Sequence, residues 1–183
     1  GQVDSAEAHA IQARIEKALG AYSRALPLPL VSAPVPHASP RLLIVDKPGR
    51  TQTRIIAGRV GRGVQDPDYT AFMVSNHGLG GGIFGSRLIK EIRVKRGWSY
   101  TPGSTQLVSL NPNAWYLTYA PALKDTLESV RFCKGLIEEL KKKGLEPEEF
   151  ELARTNLIQS AAFAANTPAK RLENAANERL FKL

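Results

Sequence analysis

The chain has 183 residues, room for one domain with a sizeable core, and its 43% apolar and 23% charged residues are ordinary for a globular protein. No apolar run approaches the roughly 18 residues that a membrane-spanning helix needs. Cys133 is the single cysteine, so an intrachain disulfide and any cysteine-cluster metal site are excluded. The net charge of +8 raises the question of nucleic acid. Against that, the basic residues are scattered and aromatics make up only 7%, with no stacking platform. A positive surface that attracts acidic peptide segments fits the charge equally well.

In chain order, residues 5–24 read as a helix, capped by Ser5, with Ile11, Ile15 and Leu19 in its apolar stripe. Five prolines in residues 27–40 exclude a helix and favour an extended strap. His37 lies in that strap without ligand neighbours at useful spacing. The expected division is therefore a closing helix of a preceding domain at 1–24, a proline-rich linker at 25–40 and a second domain at 41–183. The start at Gly1 and the uncapped helical end NERLFKL read as those of an excised piece, and no signal-peptide pattern opens the chain.

Residues 41–47 and 51–61 read as strands that form a hairpin around Pro48-Gly49. Asp66-Pro67 then resembles a helix start, and that helix is expected to stop in the glycine run Gly78, Gly80, Gly81, Gly82. A second helix is expected at 84–96, with Leu88, Ile89 and Ile92 buried and Gly97 just past its end. Residues 98–110 and 114–120 form a strand pair around Asn111-Pro112-Asn113. A long helix at 121–144 is expected to turn Leu123, Leu127, Val130, Ile137 and Leu140 to the core, with Cys133 as buried filler. Helices at 146–165 and from 168 onward follow. The fold class is α+β, a mainly antiparallel sheet covered by helices on one face.

The motifs limit the chemistry. The glycine run follows a helix rather than a strand and lacks a following Lys-Ser/Thr, so it is not a phosphate loop. His9, His37 and His77 form no HxxH or HxxEH pattern, and no GxSxG elbow is present. His77 reads as a structural residue at a helix end. Arg93 and Tyr100 lie seven residues apart across Gly97. A chain reversal there brings a guanidinium and a phenol together, two groups that donate hydrogen bonds to a carbonyl or oxyanion. The plainer reading is that Arg93, with Lys95 and Arg96, favours the helix C-terminus while Tyr100 packs in a strand.

The stretch GLGGGIFGSRLIKEIRVKRGWSY at 78–100 resembles the second-domain signature of the M16 zinc peptidases, in which LGGG, SRL, an Ile/Val-Arg, an RG and a Tyr recur in that order. The resemblance covers roughly residues 10–183. It implies the non-catalytic, substrate-closing half of a two-halved peptidase, truncated at its C-terminus, in which Arg93 and Tyr100 contact the substrate carbonyl near a zinc site in another half. No zinc is expected in this fragment. Zinc is expected in the full enzyme or a partner, on an HxxEH-bearing N-terminal half or subunit. An unfolded peptide substrate and a homo- or hetero-dimer are implied partners, with no nucleic acid and no membrane span. Periplasm and cytoplasm both stay open. The alternatives are a non-peptidase scaffold subunit of the same fold and a basic anion- or nucleic-acid-binding module.

Overall fold

The structure is a computed structural model, which describes residues 4–20, 48–82 and 84–181. The chain divides into two compact units, Gly1–Ala33 and Pro34–Leu183. In the first unit, helix α1 spans Ser5–Leu19. Its N-cap is Asp4, not the expected Ser5: the Asp4 Oδ1 accepts from the Glu7 N–H at 2.8 Å. A carboxylate there also complements the positive end of the helix. Ile11, Ile15 and Leu19 keep their helical spacing but are exposed. The proline strap and the strand expected at 41–47 lie outside the described residues, as does that strand's hairpin with 51–61.

The second unit is built on a three-stranded antiparallel sheet of order β1-β3-β2. Strand β1 spans Ile55–Val60, β2 spans Gly103–Gln106 and β3 spans Ala114–Tyr119. The expected turn at Pro48-Gly49 is present, with Gly49 at φ +78°. Beyond it β1 pairs along its length with β3, from Ile55 opposite Tyr119 to Val60 opposite Ala114. Strand β2 pairs with the other edge of β3, Gly103 opposite Thr118 and Gln106 opposite Trp115, which is the expected hairpin. It is much shorter than the predicted 98–110. Pro102 has no N–H to give a ladder, and the Ala120 N–H bonds to the Ser99 hydroxyl at 3.0 Å rather than to a strand carbonyl.

Alternation along β3 turns Trp115, Leu117 and Tyr119 into the core and leaves Tyr116 and Thr118 half-exposed on the opposite face. Helices cover the first face, as expected, and Leu79, Leu88, Ile92, Cys133 and Leu136 complete the core with those three residues.

Helix α2 spans Tyr69–Asn76 and begins later than Asp66-Pro67 suggests. The Asp66 carboxylate instead accepts from the Asp68 N–H at 2.9 Å and closes a turn before the helix. The glycine run does not stop the helix. A π-helical turn, His77–Gly81, carries it on, and the chain leaves at Gly82, whose N–H donates to the His77 carbonyl at 3.1 Å. Absence of side chains matters here for packing: a Cβ on Gly80 would come within 2.9 Å of the Ser104 backbone nitrogen. Gly80 thus lets the end of α2 press directly on β2.

The second expected helix begins at Arg87 and Leu88 and continues as a π-helical segment, Ile89–Lys95. Leu88 and Ile92 are fully buried, and Ile89 is half-buried. A 3₁₀ turn, Leu123–Asp125, leads into α3, Thr126–Lys143. The predicted core stripe of α3 needs correction: Leu123, Leu127 and Val130 are exposed. The buried stripe is Ser129, Cys133 and Leu136, with Ile137 and Leu140 packed beside it. Ser129 conceals the stripe in sequence because it is polar, yet it is fully buried, its hydroxyl bonded to the Thr126 carbonyl at 2.8 Å. Helix α4, Pro147–Ala161, starts with proline in its first turn and a reciprocal Glu146–Glu149 capping box. It ends before the predicted residue 165, and α5 spans Pro168–Phe181.

Candidate functional site

Arg93 lies near the end of the π-helical segment, and Gly97 closes it with φ +61°, a left-handed conformation that glycine adopts without strain. The Gly97 N–H donates to the Arg93 carbonyl at 3.1 Å, and the Trp98 N–H donates to the Ile92 carbonyl at 2.9 Å. This wide reversal returns the chain alongside the segment it has just left. As a result the Arg93 guanidinium carbon stands 4.2 Å from the centroid of the Tyr100 ring. The two residues singled out in the sequence are therefore brought together. Tyr100 is 74% exposed and lies in an irregular stretch before β2, so it does not pack in a strand.

The charges around the pair are unevenly satisfied. Glu91 binds Lys95 at 2.6 Å and Arg96 at 2.7 Å. The hydrogen bond from Lys95, reinforced by that from Arg96, holds the Glu91 carboxyl below the usual carboxylate range despite partial burial. Arg93 has no carboxylate partner among the described residues, and neither its guanidinium nor the Tyr100 hydroxyl makes a hydrogen bond among them. Both groups therefore keep donor capacity to spare among the described residues. The stack itself contributes only about 0.5–1 kcal/mol at such an exposed site.

Two buried polar contacts that sequence spacing does not reveal hold the frame behind the pair. Arg87, at the start of the second helix, reaches across 62 positions to Glu149 in the first turn of α4. Its Nη2 donates to the Glu149 Oε2 at 2.6 Å and to the Gly144 carbonyl at 3.0 Å. Burial acts to raise the Glu149 carboxyl, but the hydrogen bonds from Arg87 and from the Glu146 N–H outweigh it and leave it below its ordinary value. Asn76 is the second contact. Its Oδ1 accepts from the Ser104 hydroxyl and the Trp115 indole N–H, each at 2.7 Å, and joins the end of α2 to β2 and β3. Next to it, the His77 Nε2 is buried without a partner, and burial lowers its pKa. That agrees with a structural role for His77.

Among the described residues no three His, Cys, Asp or Glu side chains come together as a metal site. Among the described residues no helix is long and apolar enough to cross a membrane.

The fold is similar to that of a solved peptidase M16 inactive domain from Pseudomonas fluorescens, 25% identical, with a TM-score of 0.68 over 73% of this chain and 32% of that one. Two more distant structures share the fold. A conserved protein from Enterococcus faecalis V583 is 18% identical, with a TM-score of 0.63 over 72% of this chain and 30% of its own. A protease from Helicobacter pylori is 16% identical, with a TM-score of 0.65 over 75% and 33%. The aligned part corresponds to about a third of the length of these solved chains. No curated protein matches the sequence. The model of the peptidase M16 inactive domain matches residues 1–157, most of the chain and all of the stretch that carries Arg93 and Tyr100, and the chain belongs to that family.

Proposed function

We propose that this domain is the substrate-closing half of an M16-type zinc metallopeptidase, and that Arg93 and Tyr100 bind the carbonyl oxygen of the scissile peptide. The observation that carries this reading is the convergence of the two side chains at 4.2 Å across the Gly97 reversal, with both sets of donors unpaired among the described residues. A guanidinium and a phenol at this spacing can donate to one carbonyl oxygen and stabilise the charge that grows on it as the carbon becomes tetrahedral. Zinc belongs in this reading to an HxxEH-bearing half or partner subunit, where it would supply the activated water; this chain's own part is to bind and orient. An extended, unfolded peptide is the fitting substrate, because two halves that close on one another exclude folded chains.

The test is cleavage of an unstructured peptide by the full-length protein, alone and with a co-purifying partner, beside a chelator-treated sample. Chelation is expected to abolish cleavage. Arg93→Ala is expected to lower kcat on the order of 10²-fold, the usual cost of removing one oxyanion donor. An unchanged kcat would show that the pair is packing, and the scaffold alternative would take its place.

A further inference from the structure

We propose that Arg96 is the positioning residue that aims the Arg93–Tyr100 pair, by clamping the end of the π-helical segment onto α3. The proposal rests on the reading of Arg93 and Tyr100 given above and adds a residue to which the resemblance assigned no role.

The Arg96 guanidinium carbon lies 3.6 Å from the centroid of the Phe132 ring on α3 and 5.4 Å from that of Trp98. Those two rings meet edge to face, 5.8 Å apart at 77°, and both pack against the core. In the plane of the same guanidinium, Nη1 donates to the Glu91 carbonyl at 3.1 Å and to the Glu91 Oε2 at 2.7 Å. Glu91 is five residues earlier, the repeat of a π-helical turn, so this contact spans one such turn from end to end. The Arg96 backbone N–H also donates to the Arg93 carbonyl. One side chain thus ties together the start of the turn, its end and the neighbouring helix.

That placement bears directly on the pair. Arg93 is three residues before Arg96 and Tyr100 four after it, so the angle at which the chain reverses sets whether guanidinium and phenol meet. Gly97 permits the reversal but has no side chain with which to fix it. An exposed cation at the helix C-terminus is already present in Lys95, which pairs with Glu91 but touches no aromatic ring among the described residues. Arg96 differs in lying over the Phe132 ring with Trp98 close by. Only a planar fork can stack on a ring and donate within its plane at once, so lysine cannot replace it.

The experiment compares the wild type with Arg96→Lys, Phe132→Leu, Arg93→Ala and a Tyr100→Leu control in the full-length protein. The first readout is the ring-current displacement of the Arg93 δ protons by the Tyr100 ring, followed by NMR on arginine-labelled protein and set to zero by Tyr100→Leu. The second is the split between kcat and KM in peptide cleavage. Arg96→Lys is expected to lose more than about half of the displacement and to lower kcat on the order of 10- to 100-fold with KM within about twofold, as a misaimed group does. Phe132→Leu is expected to move both readouts the same way and serves if the Arg96 variant fails to fold. Retention of the displacement and of kcat in Arg96→Lys or Phe132→Leu, while Arg93→Ala loses kcat, overturns the clamp and leaves the carbonyl reading intact. Loss of the displacement in Arg96→Lys while Arg93→Ala leaves kcat unchanged supports the clamp and removes the carbonyl reading instead.

Discussion

Arg87 and Arg93 belong to one short helix and show two fates of the same side chain. Arg87 is held against Glu149, with 10% and 16% of the two side chains exposed. Removing one partner of such a pair strands a charge away from water, so Glu149→Gln is expected to cost about 3–5 kcal/mol in urea unfolding. Replacing both residues together by Met or Leu is expected to recover most of that loss, because the desolvation of both charges disappears with them. Arg93 is the opposite case. It stacks on the exposed Tyr100 ring and has no ion-pair partner among the described residues, so Arg93→Ala is expected to change unfolding stability by no more than about 1 kcal/mol while peptide cleavage falls on the order of 10²-fold. Equal effects on both measurements would make Arg93 a packing residue.

Among the elements, the two π-helical stretches shape the site, and glycines serve them for different reasons. At Gly97 there is open space for a Cβ but φ is +61°, so the penalty for a side chain is conformational. Gly97→Ala is expected to cost about 1 kcal/mol and Gly97→Asn less, since asparagine tolerates the left-handed region. At Gly80 φ is not positive and the obstacle is steric: an added Cβ would meet the Leu88 side chain and, on β2, the Ser104 nitrogen at 2.9 Å. Gly80→Ala is expected to cost about 1–3 kcal/mol through overpacking, and asparagine there should be worse than alanine. Chemical unfolding of the four variants separates the two mechanisms by the sign of the Ala-to-Asn difference. The elements also show where periodicity misleads. At α3 and the turn that leads into it, Leu123, Leu127 and Val130 follow helical spacing, but the buried face is the one through Ser129, Cys133 and Leu136. Hydrophobicity alone does not choose between two adjacent stripes when one of them contains a serine that bonds to its own helix.

For the whole molecule, the three groups His77, Glu149 and Glu91, each with a lowered pKa, set a pH dependence of one sign on the acid side. His77 has a pKa lowered from its ordinary value near 6.5, so the unfolded chain binds its proton more readily. Its stabilising contribution is complete above that value and is lost as pH falls through the folded pKa. Glu149 and Glu91 are also lowered, from an ordinary value near 4.5, and their contributions are present above it and lost as pH falls further. Acid unfolding is therefore expected in two stages, the first beginning below about pH 6.5 and absent in His77→Gln, the second below about 4.5 and reduced in Glu149→Gln. Unfolding midpoints measured in urea from pH 7 to 3 check both stages.

What the sequence by itself determined is local. Period-2 and helical patterns place β1, β3, α3, α4 and α5 within a few residues, Pro147 and the acids beside it start α4, and Gly97 ends a helix with Arg93 and Tyr100 on either side of it. The motif string also carries the family, because it combines residues whose types are unusual together. The tertiary structure decided what depends on partners far along the chain. Glu149 chooses Arg87 across 62 positions, Asn76 gathers Ser104 and Trp115, the Ser99 hydroxyl shortens β2, and Phe132 supplies the ring on which Arg96 stacks. It also let α2 run through its glycines as a π-helical turn, against the local expectation of a stop, because contact with β2 stabilises a conformation that the isolated segment would not hold.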